Sequence, residues 1–369
     1  MRAVLVVALA VFLHAFAWAS VPAETAPIEL PTEMCRDYFF VPVTLAPKDG
    51  YPEDRTLWFL HDTGASSSFV DPDSINRVAN IRPKPGTRVN MRDVSIGPLK
   101  YSRITARAGE LDHLSVALGR RIDGILSFGA FKDFLLTLDY QAGVLRLEKG
   151  QLPKPNGVDV FSAKGKDYRP WMTVDFGNRS RRMLIDSGAG TASFAVRRLD
   201  KYQTVSEPQV TGVSAGLKSD DIEVRKTARA AQPVLLGSHT LQAPILASTE
   251  DTEIIGGRVM KHFVWTFDQS TRRFRMTRVD PGTEIEFGPV TGLGVLYIPT
   301  PEGYIVRKIL EDSPARQLDI KPGDLVTHID GKPLAQRGCD MHDEGTRTIG
   351  FMRDGEFREV NLEIYTQVP

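Results

Sequence analysis

Two short stretches carry the residue types from which a reaction could be built. Residues 59–71 read FLHDTGASSSFVD and contain Asp62-Thr63-Gly64-Ala65; residues 181–196 read RRMLIDSGAGTASFAV and contain Asp186-Ser187-Gly188-Ala189, 124 residues further on. A lone Asp-Thr-Gly after an apolar run reads as a turn aspartate. Two copies in repeated context mean something else. Two carboxylates held a few ångströms apart cannot both ionise cheaply, so they share one proton. One is then a base that activates water, and the other is an acid that protonates a carbonyl oxygen or a leaving nitrogen. Gly64 and Gly188 let each backbone turn tightly and approach closely. Other chemistries lack their residues. The seven histidines (14, 61, 113, 239, 262, 328 and 342) are scattered, no Cys/His set has metal-ligand spacing, and there is no Gly-x-Ser-x-Gly elbow or phosphate-cradling glycine loop.

The elements that must position the two aspartates repeat with them. Trp58-Phe59-Leu60 and Met183-Leu184-Ile185 are apolar approaches that read as buried strands. Each is preceded by a further strand and a turn, the tighter one at Gly177-Asn178. Downstream, Phe134-Leu135-Leu136-Thr137-Leu138-Asp139 aligns without a gap on Phe263-Val264-Trp265-Thr266-Phe267-Asp268, and each block ends in a hairpin, at 138–147 and 267–276. Such a duplication carries architectural information.

With both motifs and their flanks in view, residues 36–280 resemble the two-lobed aspartic proteases of the pepsin/retropepsin type. The resemblance implies a mostly β chain with two duplicated acid-protease-like β-barrel lobes. It implies Asp62 and Asp186 as the catalytic pair, with Thr63, Gly64, Ser187 and Gly188 supporting the loops and the two hydroxyls cross-bracing them. Substrates would be proteins or peptides, with no cofactor and no metal. Ile125-Leu126-Ser127 and Ile254-Ile255-Gly256 align as the segments packed beside the loops, unless the first copy's glycine is Gly124. His61, Ser127 and Glu253 depart from the family pattern. His61 reads either as a ring packed away from Asp62 or as a pH-dependent charge near the pair. The hairpin within 89–104 is the candidate flap by position, with Tyr101 as a half-buried strand residue. A lobe pair that has lost activity and serves as a binding scaffold is the rival class.

After residue 280 the character changes. Residues 292–334 resemble a PDZ domain. Gly292-Leu293-Gly294-Val295 matches its carboxylate-binding loop, Ser313-Pro314 opens a short helix as N-cap and first residue, and Asp330-Gly331 makes a tight turn between strands. A closing strand is expected over 357–364, and a groove helix would fall in the polar stretch 336–349. The resemblance implies capture of peptide C-termini by strand addition. The expected division is a signal peptide at 1–19, a first lobe at 20–155, a second at 156–280 and the PDZ-like domain at 285–369.

Composition bounds the rest. With 41% hydrophobic and 25% charged residues among 369, the chain reads as globular, and 46 basic against 46 acidic residues give no overall charge to recruit nucleic acid. Met1-Arg2, the apolar run 3–13 and Ala17-Trp18-Ala19 read as an export signal cleaved after Ala19, the alternative being an uncleaved anchor. The export signal makes the expected location periplasmic or extracellular, and no later segment is long and apolar enough to span a membrane. Cys35 and Cys339 are the only cysteines, either bridged or two unpaired thiols.

Overall fold

The computed structural model describes residues 26–369 apart from 191, 217–221, 283 and 340–343; the expected export signal lies outside the described residues. The chain is mostly β. In its first half, the strands Tyr38–Leu45, Thr56–Asp62, Gly124–Ser127 and Phe69–Val70 lie side by side in that order. In its second half, Trp171–Asp175, Ser180–Ile185, Ile254–Ile255 and Phe194–Val196 repeat the same order. The registers agree as well. Leu60 pairs in parallel with Ile125, and Leu184 in parallel with Ile254. This makes Ser127 the counterpart of Gly256. Parallel strands between covered layers are buried on both faces, which explains why Gly124–Ser127 is inaccessible along its length.

The halves join through a six-stranded sheet to which each contributes three strands. At its seam Leu135–Asp139 runs antiparallel to Phe263–Asp268, and Thr137 pairs with Thr266, their hydroxyls 2.9 Å apart. These are the two threonines that the duplicated sequences align. A residue can face its own counterpart only where an approximate two-fold axis passes, so the seam places that axis. One hydrophobic core runs through both halves, from Phe39 and Phe59 to Phe194, Trp265 and Phe267.

The C-terminal region forms a separate sheet in the order Val295–Thr300, Gly303–Ile309, Leu325–Ile329, Thr346–Arg353, Glu356–Glu363. Its core includes Val306, Val326, Ile349 and Phe351. Ser313 accepts a hydrogen bond from the Ala315 amide and caps a 3₁₀ turn, Pro314–Gln317. The groove helix expected in 336–349 is absent from the described residues of that stretch. A 3₁₀ turn ends at Gln336 and a strand starts at Thr346. Gly338 and Gly345 adopt φ of 85° and 87°, which breaks a helix, and Thr346, Thr348 and Ile349 favour a strand. A helix from the first half takes up a position beside the edge strand instead. Asp112–Leu118 packs on Val295–Thr300, with Val116 buried in the C-terminal core. Cys35 and Cys339 are disulfide-bonded, tying the first half to this region. A last strand, Tyr365–Val368, pairs with Val290–Gly292 and buries Val368 in the main core.

Candidate functional site

Thr56–Asp62 ends in Asp62, and Ser180–Ile185 ends one residue before Asp186. The loops that follow are locked to each other by four crossed hydrogen bonds. The Thr63 amide donates to Ser187 Oγ at 3.0 Å, and the Ser187 amide donates to Thr63 Oγ1 at 2.9 Å. Thr63 Oγ1 in turn donates to the Ile185 carbonyl at 2.8 Å, and Ser187 Oγ to the His61 carbonyl at 3.0 Å. Both hydroxyls are fully buried, each accepting once and donating once. Serine and threonine suit this place because a hydroxyl does both.

This lock brings Asp62 and Asp186 together, and their carboxyls share a side-chain hydrogen bond. Both residues remain partly accessible. Approach this close leaves no room for other side chains. A Cβ on Gly64 would lie 2.5 Å from Asp186 Cγ, and one on Gly188 would lie 2.4 Å from Asp62 Cγ. Burial raises both carboxyls above the usual carboxylate range. Asp186 is raised further by the charge of Asp62 beside it, while Asp62 is held back by its hydrogen bonds. The asymmetry has a visible cause. Asp62 Oδ1 accepts from two amides, Gly64 at 2.7 Å and Ala65 at 3.0 Å, whereas Asp186 Oδ1 accepts from Gly188 alone, at 2.9 Å. The extra amide donors favour the ionised form at Asp62 over Asp186.

A strap that motif reading did not single out crosses the first loop. Arg169 Nη1 donates to the Gly64 carbonyl at 2.5 Å, and its charge favours the ionised form of both aspartates. Its guanidinium is held by Asp167, which also accepts from Trp171 Nε1 at 3.1 Å. Tyr168 donates to the Ser66 carbonyl at 2.6 Å. The first half mirrors this, since the Tyr38 ring lies where a Cβ on Gly190 would come within 2.7 Å of it. The sequence signal was present. Asp37-Tyr38 recurs as Asp167-Tyr168, leading into Tyr38–Leu45 in the first copy and into Trp171–Asp175 in the second.

The departures from the family pattern find local accommodation. His61 is inaccessible, lies tilted against Phe131 with ring centroids 5.6 Å apart and has no hydrogen-bond partner on either ring nitrogen. Burial lowers it to about 3, so the ring is neutral. Ser127 is hydrogen bonded to Ser68 through its amide at 3.1 Å and its hydroxyl at 3.2 Å. At its counterpart Gly256 a Cβ would sit 2.5 Å from the Ala192 carbonyl oxygen, so only the first half has space for a side chain. Glu253 is paired with Arg181 at 2.8 Å and accepts from the Arg197 amide at 3.0 Å. The first half's equivalent anchor is Asp123, which accepts from the Trp58 amide at 2.8 Å and from Arg121. The candidate flap is a hairpin of Arg88–Ile96 and Leu99–Ala108, with Tyr101 half-buried and its hydroxyl pushed up to about 12 by burial.

Gly292 ends the strand Val290–Gly292, Val295 opens the edge strand Val295–Thr300 of the C-terminal sheet, and Leu293 and Gly294 link them. Gly294 has φ of 71°, and a Cβ there would collide with Ser313 Oγ. Its carbonyl accepts from the Leu310 amide at 2.8 Å. The neighbouring edge is lined by the helix Asp112–Leu118, whose Val116 and Ala117 carbonyls accept from the Tyr304 hydroxyl, each at 3.1 Å. Among the described residues, no group of three His, Cys, Asp or Glu side chains is arranged to hold a metal ion, and no helix is long and apolar enough to cross a membrane.

No family model matches the chain. It is 35% identical over 68 residues to the periplasmic serine endoprotease DegP of Escherichia coli K12, and equally to that of strain O157:H7. The match takes in 17% of this chain and 14% of the length of those curated relatives. Among solved structures, a retropepsin-like aspartic protease from Rickettsia conorii aligns with 34% of this chain and 90% of its own, at 13% identity and a TM-score of 0.25.

Proposed function

We propose that the protein is an aspartic endopeptidase in which Asp62 and Asp186 activate water against a peptide bond. The observation that carries this reading is the reciprocal lock between Thr63 and Ser187, with the two carboxyls hydrogen bonded above it. Asp62, ionised, takes a proton from a water lying between the carboxyls, and the water oxygen bonds to the carbonyl carbon. Asp186 gives its proton to the carbonyl oxygen, which completes a tetrahedral diol. In the second step Asp62 returns its proton to the departing nitrogen, and Asp186 recovers one from a diol hydroxyl as the C–N bond breaks. The products are a carboxylic acid and an amine, and the pair ends with the one proton it began with. Arg169 keeps the first loop's carbonyl engaged and limits how far burial can neutralise the pair.

In the same reading the C-terminal sheet is a PDZ-like unit that recruits protein substrates by their C-termini at Gly292-Leu293-Gly294-Val295, and the protein works in the periplasm or outside the cell. The disulfide supports export, because such bonds persist in oxidising compartments. The partial similarity to a periplasmic endoprotease agrees with it.

The test is digestion of a mixed peptide pool by the purified mature protein from acid to neutral pH, beside Asp62→Asn and Asp186→Asn. Loss of general acid–base catalysis is expected to reduce cleavage by about 10²–10⁴-fold in each variant. Cleavage that survives both substitutions would overturn the reading.

A further inference from the structure

The hairpin Arg88–Ile96 and Leu99–Ala108 has a register that sets like charges against each other. Arg88 faces Arg107, and Arg92 faces Arg103, with Asn90 opposite Thr105 between them. Residues at alternate positions share one face of a strand, so all four arginines project from the same side. Directly opposed like charges weaken a β pair. None of the four has an ion-pair partner within 4.0 Å among the described residues. The chain has as many acidic as basic residues, and several other arginines, including Arg77, Arg121, Arg146, Arg169 and Arg181, are ion-paired.

The inner arginine pair borders a pocket of about 610 Å³. Arg88 and Arg107 line it together with Ser66, Ser68 and Ser127. These serines adjoin the candidate active site. Ser66 and Ser68 follow Asp62 in the same loop, and Ser127 is the cross-strand partner of Asp62 itself, one strand spacing away, about 4.8 Å. Guanidinium groups and the Ser66 and Ser127 hydroxyls in one pocket offer donors suited to a carboxylate, the Ser68 hydroxyl being already bonded to Ser127.

We propose that this pocket takes the carboxylate side chain of an extended acidic peptide, so that the protein selects substrates carrying Asp or Glu close to the bond it cuts. Arg92 and Arg103 continue the same charge along the hairpin for further acidic residues. For turnover this rests on the peptidase reading; for binding it does not.

The experiment uses the full mature chain with Asp62→Asn, which holds peptides without cutting them. Two fluorescent peptides differing only in Glu or Gln at the central positions are titrated by anisotropy at neutral pH and low salt. The Glu peptide is expected to bind at least about tenfold more tightly, the scale of a charge-assisted contact. The preference should fall below about twofold in Arg88→Gln/Arg107→Gln and shrink as salt screens the charges. Arg307→Gln/Arg316→Gln, in the C-terminal region, should leave it intact. Equal affinities, a preference that survives Arg88→Gln/Arg107→Gln, one lost equally in the C-terminal control, or no binding of either peptide would each overturn the proposal. Turnover by the unsubstituted protein is read separately. A Glu preference in binding without cleavage of either peptide removes the peptidase reading and leaves the acidic subsite standing.

Discussion

The amide of Thr63 donates to the hydroxyl of Ser187 at 3.0 Å, and the amide of Ser187 donates to the hydroxyl of Thr63 at 2.9 Å. Each residue thus satisfies a buried donor on the other's loop, although 124 positions separate them in the chain. The distance between the two aspartates depends on this exchange.

Removing either hydroxyl leaves a buried amide without an acceptor, which costs about 1–3 kcal/mol. Thr63→Val and Ser187→Ala are each expected to lower the melting temperature by several degrees, at roughly 2–4 °C per kcal/mol for a fold of this size. Thr63→Ser, which keeps the hydroxyl, should stay close to the parent. Thermal unfolding followed by circular dichroism separates these cases; equal melting temperatures for Thr63→Val and Thr63→Ser would contradict the lock.

The aspartate pair makes stability depend on pH in an unusual direction. Both carboxyls are raised above 3.8 in the folded chain, so folding favours their protonated form. Their contribution is present in acid and is lost as pH rises from about 4 through the folded values. Asp186→Asn removes the group raised furthest. It should melt higher than the parent at pH 7, with the gap closing toward pH 3. A variant no more stable at pH 7 than at pH 3, relative to the parent, contradicts the raising of Asp186 by burial and by Asp62.

His61 acts with the opposite sign. Its folded value of about 3 lies below the ordinary 6.5, so the unfolded chain takes up a proton first as pH falls. Stability from this residue is full above about pH 6.5 and drains away toward pH 3, by about 3 kcal/mol between pH 6.5 and 4. Because neither ring nitrogen has a partner, His61→Leu gives up no hydrogen bond. Denaturant unfolding of His61→Leu across this window should show a flatter acid limb than the parent's; parallel limbs would mean that the ring is solvated.

The Cys35–Cys339 bond closes a separation of 304 residues. A cross-link over so long a loop restricts the unfolded chain strongly, worth on the order of 5 kcal/mol in the chain-entropy account. Reduction, or Cys35→Ser with Cys339→Ser, should lower the unfolding midpoint and release the C-terminal sheet to limited proteolysis before the two halves. Identical digestion of oxidised and reduced protein would show that the helix Asp112–Leu118 and Tyr304 hold the sheet by themselves.

Much of the architecture was legible in the chain itself, because duplication writes the same periodicity twice. The alignment of Thr137 with Thr266 in sequence became a pair across the seam, and the apolar runs before Asp62 and Asp186 became the strands that end at the two loops. Alternation and turn residues likewise determined the hairpins and the strands of the C-terminal sheet, since strand period and turn chemistry are local properties. What only the tertiary structure decided is what depends on contacts between distant residues. The reach of Arg169 over Gly64 and the burial of Val116 in the C-terminal core join segments far apart in the chain. The stretch expected as a groove helix became turn and strand, beside a helix supplied from elsewhere in the chain. The four arginines of the hairpin are unremarkable until register is known, because a one-residue slip moves side chains to the other face of a strand. Composition therefore determined that the chain carries balanced charge, and folding alone determined where that balance fails locally.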